Sequence, residues 1–128
     1  MQNSSDYEVC LSVAEKCGGR VIHGVDAGKV FSILSGAEFA VGMRLHFLFL
    51  SLMAGTPAVG LSYDLKIDFA YPYAGGEYII PSHCVTAENL ARAVENTQKN
   101  TDSEKLRRRC LEMRELAVHD ICRMNSET

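Results

Sequence analysis

The sequence predicts an α/β fold in which a small parallel sheet is flanked by helices, as in a Rossmann-like domain. Segments with apolar residues at helical spacing alternate with short apolar segments along the chain, and the connections between them are short. The short segments do not alternate between apolar and polar residues, which is typical of strands buried on both faces. Because parallel neighbours need crossover connections, this order predicts one domain with about four parallel strands.

The first part of the chain contains two predicted helices and a strand. Residues 5–17 form the first helix, which ends at a glycine pair and has an apolar face of Tyr7, Cys10, Leu11 and Ala14. Residues 20–23 form a short strand. Asp26 caps the second helix, which extends to Leu34 and ends at Gly36.

The middle of the chain has two predicted strands around an apolar helix. Residues 38–42 form a buried strand, residues 44–54 form the helix, and Gly55 ends it. The segment at residues 57–61 is too short for a helix and is interrupted by proline and glycine, so it is predicted to form the next strand. Residues 63–76 are predicted to be a loop with at most one helical turn.

The last part of the chain is predicted to be one strand and two helices. Residues 77–80 form the strand, which Pro81 closes. Thr86 begins a helix that reaches Lys99, and Ser103 caps a final helix that reaches Met124. The apolar stripe of the final helix is Leu106, Cys110, Met113, Leu116, Ala117 and Ile121.

Composition excludes several classes of protein. The net charge of −3 argues against a general nucleic-acid binder, and the basic residues 107–109 lie among acids on a solvated helix face. The most apolar segment, residues 45–54, has about half the length that a membrane span needs, and no secretory signal begins the sequence. The cysteines lack the spacing of a metal site. We therefore expect a cytoplasmic protein with reduced, mostly buried thiols and no metal or cofactor.

The end of the strand at Gly42 is the strongest candidate for a functional site. Ligands of open parallel sheets bind beyond the carboxyl ends of the strands, and this strand passes through a glycine into a helix whose first N–H groups can bind an anion. Arg44 adds a planar cation, and His46 can donate a hydrogen bond or transfer a proton near neutral pH. Two alternatives stay open: Arg44 pairs with a surface acid, or His46 is a half-buried structural residue.

The next strand end adds weaker candidates. Lys66 follows that strand, beside Tyr63 and Asp64, and gains interest because its strand is expected to neighbour the one that leads to Arg44. Two tyrosines of the following segment are able to stack on a sugar ring or to pack locally. They are Tyr71 and Tyr73. The remaining histidines are weaker still: His23, His83 and His119.

Two motifs of the chain resemble the C-terminal region of polysaccharide pyruvyl transferases. The first is VGMRLH at residues 41–46, followed by an apolar helix and a Gly-Thr-Pro break at residues 55–57. The second is a strand that ends in SYDLK at residues 62–66. In that family an Arg-Leu-His turn and an apolar helix lead into a strand ending Ser-Tyr-Asp-x-Lys. The resemblance spans residues 18–122.

This resemblance implies a fold similar to glycosyltransferases with two facing Rossmann-like domains (the GT-B architecture), of which the chain matches the second. It implies phosphoenolpyruvate as the donor, and as acceptor a sugar of a cell-envelope polysaccharide or its lipid-linked precursor. The product is a pyruvate ketal. The family's catalytic arginine and histidine correspond to Arg44 and His46. Donor binding extends to the neighbours of these two, namely Gly42, Leu45, Tyr63 and Lys66.

Two other functions are compatible with the same residues. A glycosyltransferase of the same architecture would use a nucleotide-sugar donor and would need a carboxylate for the ribose, for which Glu77 and Glu88 are the candidates. A non-catalytic interaction module would keep the fold without its amino-terminal domain. That module would associate with itself through the apolar surface left by the absent domain.

Overall fold

A computed structural model describes residues 4–126, with the side chains at both ends and that of Ala117 left out. The strands of this part are β1 (Ala40–Gly42), β2 (Ala58–Ser62) and β3 (Tyr78–Pro81). Its α-helices are α1 (Ser4–Cys17), α2 (Ala27–Ser35), α3 (Leu45–Met53), α4 (Leu65–Tyr73), α5 (Ala87–Asn100) and α6 (Ser103–Ser126). A short 3-10 helix, Ser82–Cys84, follows β3. The predicted α/β class is confirmed.

The sheet is parallel and has the order β1-β2-β3. Gly42 pairs with Gly60, and Ser62 pairs with Pro81. All three strands therefore end at one edge of the sheet, which we call the carboxyl edge, and begin at the opposite amino edge. Helices α3 and α4 start at the carboxyl edge and contact each other.

The two faces of β2 are covered by different helices. A Cβ atom at Gly60 would lie 3.2 Å from Leu48 of α3 and 3.3 Å from Tyr71 of α4, so this face meets those two helices. Val59 points to the opposite face because side chains alternate along a strand, and it is only 1% exposed. There Asn100 of α5 donates to the hydroxyl of Tyr78, the partner of Val59 in β3. Burial on both faces explains why residues 58–61 of β2 do not alternate with polar residues.

The core lies between β2 and the helices α3 and α4. Its largest fully buried side chains include Tyr71, Leu48 and Ile67. The first half of α6 closes this core with Leu106, Cys110 and Met113, as its predicted stripe requires. Leu116 of the same stripe is 58% exposed, so the second half of α6 extends beyond the core. The predictions for Ala117 and Ile121 fall outside the described side chains.

The predicted strand at residues 20–23 is wrong. This segment is not paired with the sheet, and Arg20, Ile22 and His23 are exposed. The edge strand β1 has only three residues, which offers little backbone for pairing, and the exposed segment 20–23 would bury little apolar surface in return. The described sheet therefore has three strands rather than about four.

The predicted loop at residues 63–76 is also wrong, because most of it is helix α4. The Asp64 side chain caps this helix by accepting from the backbone N–H of Lys66 at 3.1 Å. Ile67 and Tyr71, one helical turn apart, are both fully buried. Pro72 lies in the last turn, and Gly75 at φ +109 follows it. The proline and the tyrosines made this segment look like a loop in the sequence. The helix is stabilised mainly by the burial of one face.

Smaller predictions need correction as well. The strand predicted from residue 38 begins at Ala40. Asp102, not Ser103, caps α6 by accepting from the backbone N–H of Lys105 at 3.2 Å. Cys17 and Cys84 are free but exposed, whereas buried thiols were predicted. Cys122 lies outside the described side chains. No helix among the described residues is both long and apolar enough to cross a bilayer.

Candidate functional site at the carboxyl edge

Two short turns side by side form the candidate site. The β1–α3 turn consists of Met43 and Arg44, and the β2–α4 turn consists of Tyr63 and Asp64. The turns are neighbours because β1 and β2 are paired in register. The sheet thus brings together the two motifs that the sequence separates by an entire helix.

Gly42 is required for the path of the β1–α3 turn. A Cβ atom at this position would collide with the ring of Phe47, which lies in the first turn of α3. Phe47 is half-buried and packs against the core, so its ring has little freedom to move aside. Only a glycine lets the strand approach the start of the helix this closely.

We expect Gly42→Ala to lower the free energy of unfolding by about 1–3 kcal/mol, because the Phe47 ring or the strand must shift. Urea denaturation measures the effect. Gly36→Ala is the matched control, since its added Cβ would meet the nearest atom, the Ile33 carbonyl oxygen, at an ordinary 3.8 Å. Equal stability of the two variants would contradict the close approach of Gly42 to Phe47.

The N-terminus of α3 differs from those of its neighbours in having no side-chain cap. Asp26, Asp64 and Thr86 each accept a hydrogen bond from a backbone N–H at the start of α2, α4 and α5. At the corresponding position of α3 stands Arg44, which offers only donors, and no side chain of the described residues caps this helix. The first N–H groups of α3 and the positive end of its dipole therefore face the carboxyl edge, available to an anion.

Arg44 itself is accessible. Its side chain is 69% exposed, and its Nη2 atom lies 3.4 Å from Oδ2 of Asp6 at the start of α1. The alternative that Arg44 pairs with a surface acid is thus observed. Such an exposed pair contributes only about 0–1 kcal/mol, so an anionic ligand with better geometry can compete with Asp6 for the guanidinium.

The other predicted residues lie on these two turns or in the first turns of the helices that follow them. His46 is exposed on the first turn of α3, which rules out the alternative of a half-buried histidine. Leu45 is half-buried and packs against the core. On the second turn, Tyr63 is 44% exposed, and Lys66 is exposed. The roles assigned to these residues stay predictions.

Helix α1 adds Asp6 to this edge. Asp6 reaches Arg44, and the ring of the adjacent Tyr7 packs edge-on against His23, with the ring centroids 5.0 Å apart. His23, a weak candidate in the sequence, therefore contacts α1. Asp6 was missed, because nothing in its local sequence indicates contact with a residue 38 positions away.

The remaining candidates are placed elsewhere or in other roles. Tyr71 is fully buried in the core, so of its two predicted roles local packing is the one observed. Tyr73 lies at the end of α4, near the amino edge. His83 is exposed in the 3-10 helix after β3 and thus shares the carboxyl edge, whereas His119 lies on the second half of α6.

The polysaccharide pyruvyl transferase family matches residues 4–64. The resemblance seen in the motifs is confirmed over this part of the chain. The match includes α1, the whole β1–α3 turn and Tyr63, and it ends just before Lys66. Searches of curated proteins and of solved structures give no match to the chain.

The family match supports a transferase domain at the level of class. Residues 4–64 contain the uncapped helix, Arg44 and His46, so the candidate site belongs almost entirely to the part that the family shares. The predicted resemblance extended to residue 122, and the match supports it up to residue 64.

Proposed function

We propose that the chain is a polysaccharide pyruvyl transferase domain that binds phosphoenolpyruvate at the carboxyl edge of its sheet. The observation that carries the proposal is the uncapped N-terminus of α3 beside the exposed guanidinium of Arg44. Both lie within the residues that match the family. Helix N–H groups and a planar cation together suit the phosphate of the donor.

The reaction proposed for this site requires charge stabilisation and proton transfer. One hydroxyl of the acceptor sugar bonds to C2 of phosphoenolpyruvate and loses its proton. C3 gains a proton in the same addition, so the protons balance. A second hydroxyl replaces phosphate at C2 and gives up its proton, so that a ketal and inorganic phosphate result. Negative charge grows on the leaving phosphate, where Arg44 and the α3 amides stabilise it.

The neighbouring side chains have proposed roles in the same reaction. His46, the second residue of α3, transfers a proton or binds phosphate. Lys66 on the β2–α4 side adds positive charge for the carboxylate of the donor. Contacts with the acceptor are proposed to come from the amino-terminal domain that the family resemblance implies, which would face this edge.

Phosphoenolpyruvate binding tests the proposal directly. We expect the chain to bind phosphoenolpyruvate saturably in a calorimetric titration, and we expect Arg44→Ala to weaken binding by about tenfold or more, because a charged hydrogen bond is lost. Arg92→Ala is the matched control: it removes the same charge from an exposed arginine of α5 that pairs with Glu88.

Uridine diphosphate is titrated in parallel. A preference for the nucleotide would favour the glycosyltransferase alternative, and failure of both ligands to bind would favour the non-catalytic module. Equal binding by the Arg44 and Arg92 variants would contradict the assignment of the site to the α3 turn.

A further inference from the structure

A cavity of about 620 Å³ opens at the amino edge of the sheet, opposite the candidate site. Its position follows from its lining, which includes Ala58 and Tyr78 at the starts of β2 and β3, the end of α4 and the start of α6. Strand β2 alone separates the two edges by about 13 Å, so the cavity is a separate place on the molecule. Its volume is within the range of small-molecule sites.

The cavity has an apolar floor and an aromatic wall. The half-buried side chains of Tyr78 and Leu106 form the accessible apolar floor, whereas Leu52, Ala58 and Tyr71, which also line the cavity, are buried. Tyr73 stands at the rim and is 66% exposed, with the guanidinium of Arg109 over its ring at 5.5 Å. The apolar floor and the exposed tyrosine ring suit the apolar face of a ring-shaped ligand.

The charges at the rim are balanced. Two acids, Glu77 and Asp102, and two bases, Lys105 and Arg109, line the same opening. An anion would meet two carboxylates, and a cation would meet two basic groups. This balance favours a neutral ligand over a charged one.

Some of these groups are engaged by the protein, and two are not. Arg109 donates to the Tyr73 carbonyl, and Asp102 caps α6. Among the described residues, neither the Lys105 ammonium nor the Glu77 carboxylate has a hydrogen bond or ion pair. The Lys105 ammonium can therefore donate a hydrogen bond to a ligand, and the Glu77 carboxylate can accept one from it.

We propose that this cavity binds a neutral sugar unit. A sugar ring presents an apolar face for the floor and for Tyr73, and hydroxyl groups that accept from Lys105 and donate to Glu77. The inference rests on the cavity alone and does not depend on pyruvyl transfer at the opposite edge.

Titration of the isotope-labelled chain, followed by its amide NMR signals, tests the inference. The probes are glucose, glucuronate as an anionic ring of the same shape, and uridine as a flat aromatic nucleoside. We expect glucose to shift the amides of Gly75 and Gly76 saturably, with weaker effects from glucuronate and uridine. Lys105→Met and Glu77→Gln are each expected to weaken glucose binding by about fivefold. Lys29→Met, which changes an exposed lysine of α2 outside the cavity, is the matched control and should leave glucose binding unchanged.

Three outcomes would overturn the inference. Tighter binding of glucuronate or uridine would assign the cavity to another class of ligand. Equal loss of glucose binding in the Lys29 and Lys105 variants would place the sugar elsewhere. No shift at Gly75 and Gly76 with any probe would make the cavity a packing surface. Phosphoenolpyruvate binding is also measured on the Lys105→Met variant. If that variant loses glucose binding but still binds phosphoenolpyruvate, the two sites are independent, and failure of one proposal does not imply failure of the other.

Discussion

Tyr71→Ala is expected to lower the free energy of unfolding by about 3–5 kcal/mol. The ring is fully buried, and its hydroxyl donates to the Ala58 carbonyl at 2.9 Å. Gly60 and Gly76 make room for it, since an added Cβ would lie 3.3 Å and 2.5 Å from the ring. The substitution leaves a cavity that these backbone segments cannot fill. Urea denaturation followed by circular dichroism measures the loss.

Two companion variants separate the sources of that stability. Tyr71→Phe removes only the hydrogen bond and is expected to cost about 0.5–1.5 kcal/mol. Burial, and to a lesser extent Glu77, hold the pKa of Tyr71 well above its usual range, so the hydroxyl stays a donor at any neutral pH. Phe69→Ala, in the same helix but 74% exposed, should change stability by less than about 0.5 kcal/mol. A Tyr71→Ala variant as stable as the Phe69 control would contradict the burial of Tyr71.

His46→Gln is expected to reduce turnover by about 100-fold in a two-domain transferase that carries the same Arg-Leu-His turn. Glutamine retains a hydrogen-bond donor for phosphate but cannot exchange a proton near neutral pH. Donor affinity should therefore change much less than turnover. Steady-state kinetics over a range of pH measures both quantities.

The matched control for His46 is an exposed histidine at the same edge but outside the Arg-Leu-His turn, the kind of position that His83 has in this chain. Its replacement by glutamine should leave turnover nearly unchanged. If His46→Gln weakens donor binding and leaves turnover intact, the histidine is a phosphate ligand. If neither changes, it has no part in the reaction.

The motif at residues 41–46 shows how far local sequence can predict a site. A glycine at a strand end followed by an arginine predicted a helix N-terminus open to anions, and in the structure α3 begins at Leu45 without a side-chain cap. The same sequence contained no sign of Asp6, which reaches Arg44 from another helix. Pairing of exposed charges far apart in the chain depends on how α1 lies against the sheet.

The sequence by itself determined the α/β class, the parallel sheet, the caps at Asp26 and Thr86, and the turn that holds Arg44. These features depend on periodicity, on glycines and on capping side chains, whose effects act within one or two turns of the backbone. Only the tertiary structure decided that residues 65–73 are helical, that residues 20–23 are not a strand, and that Lys105 and Glu77 share a cavity. Each of these outcomes depends on which surfaces are buried together, and that depends on residues distant in the chain.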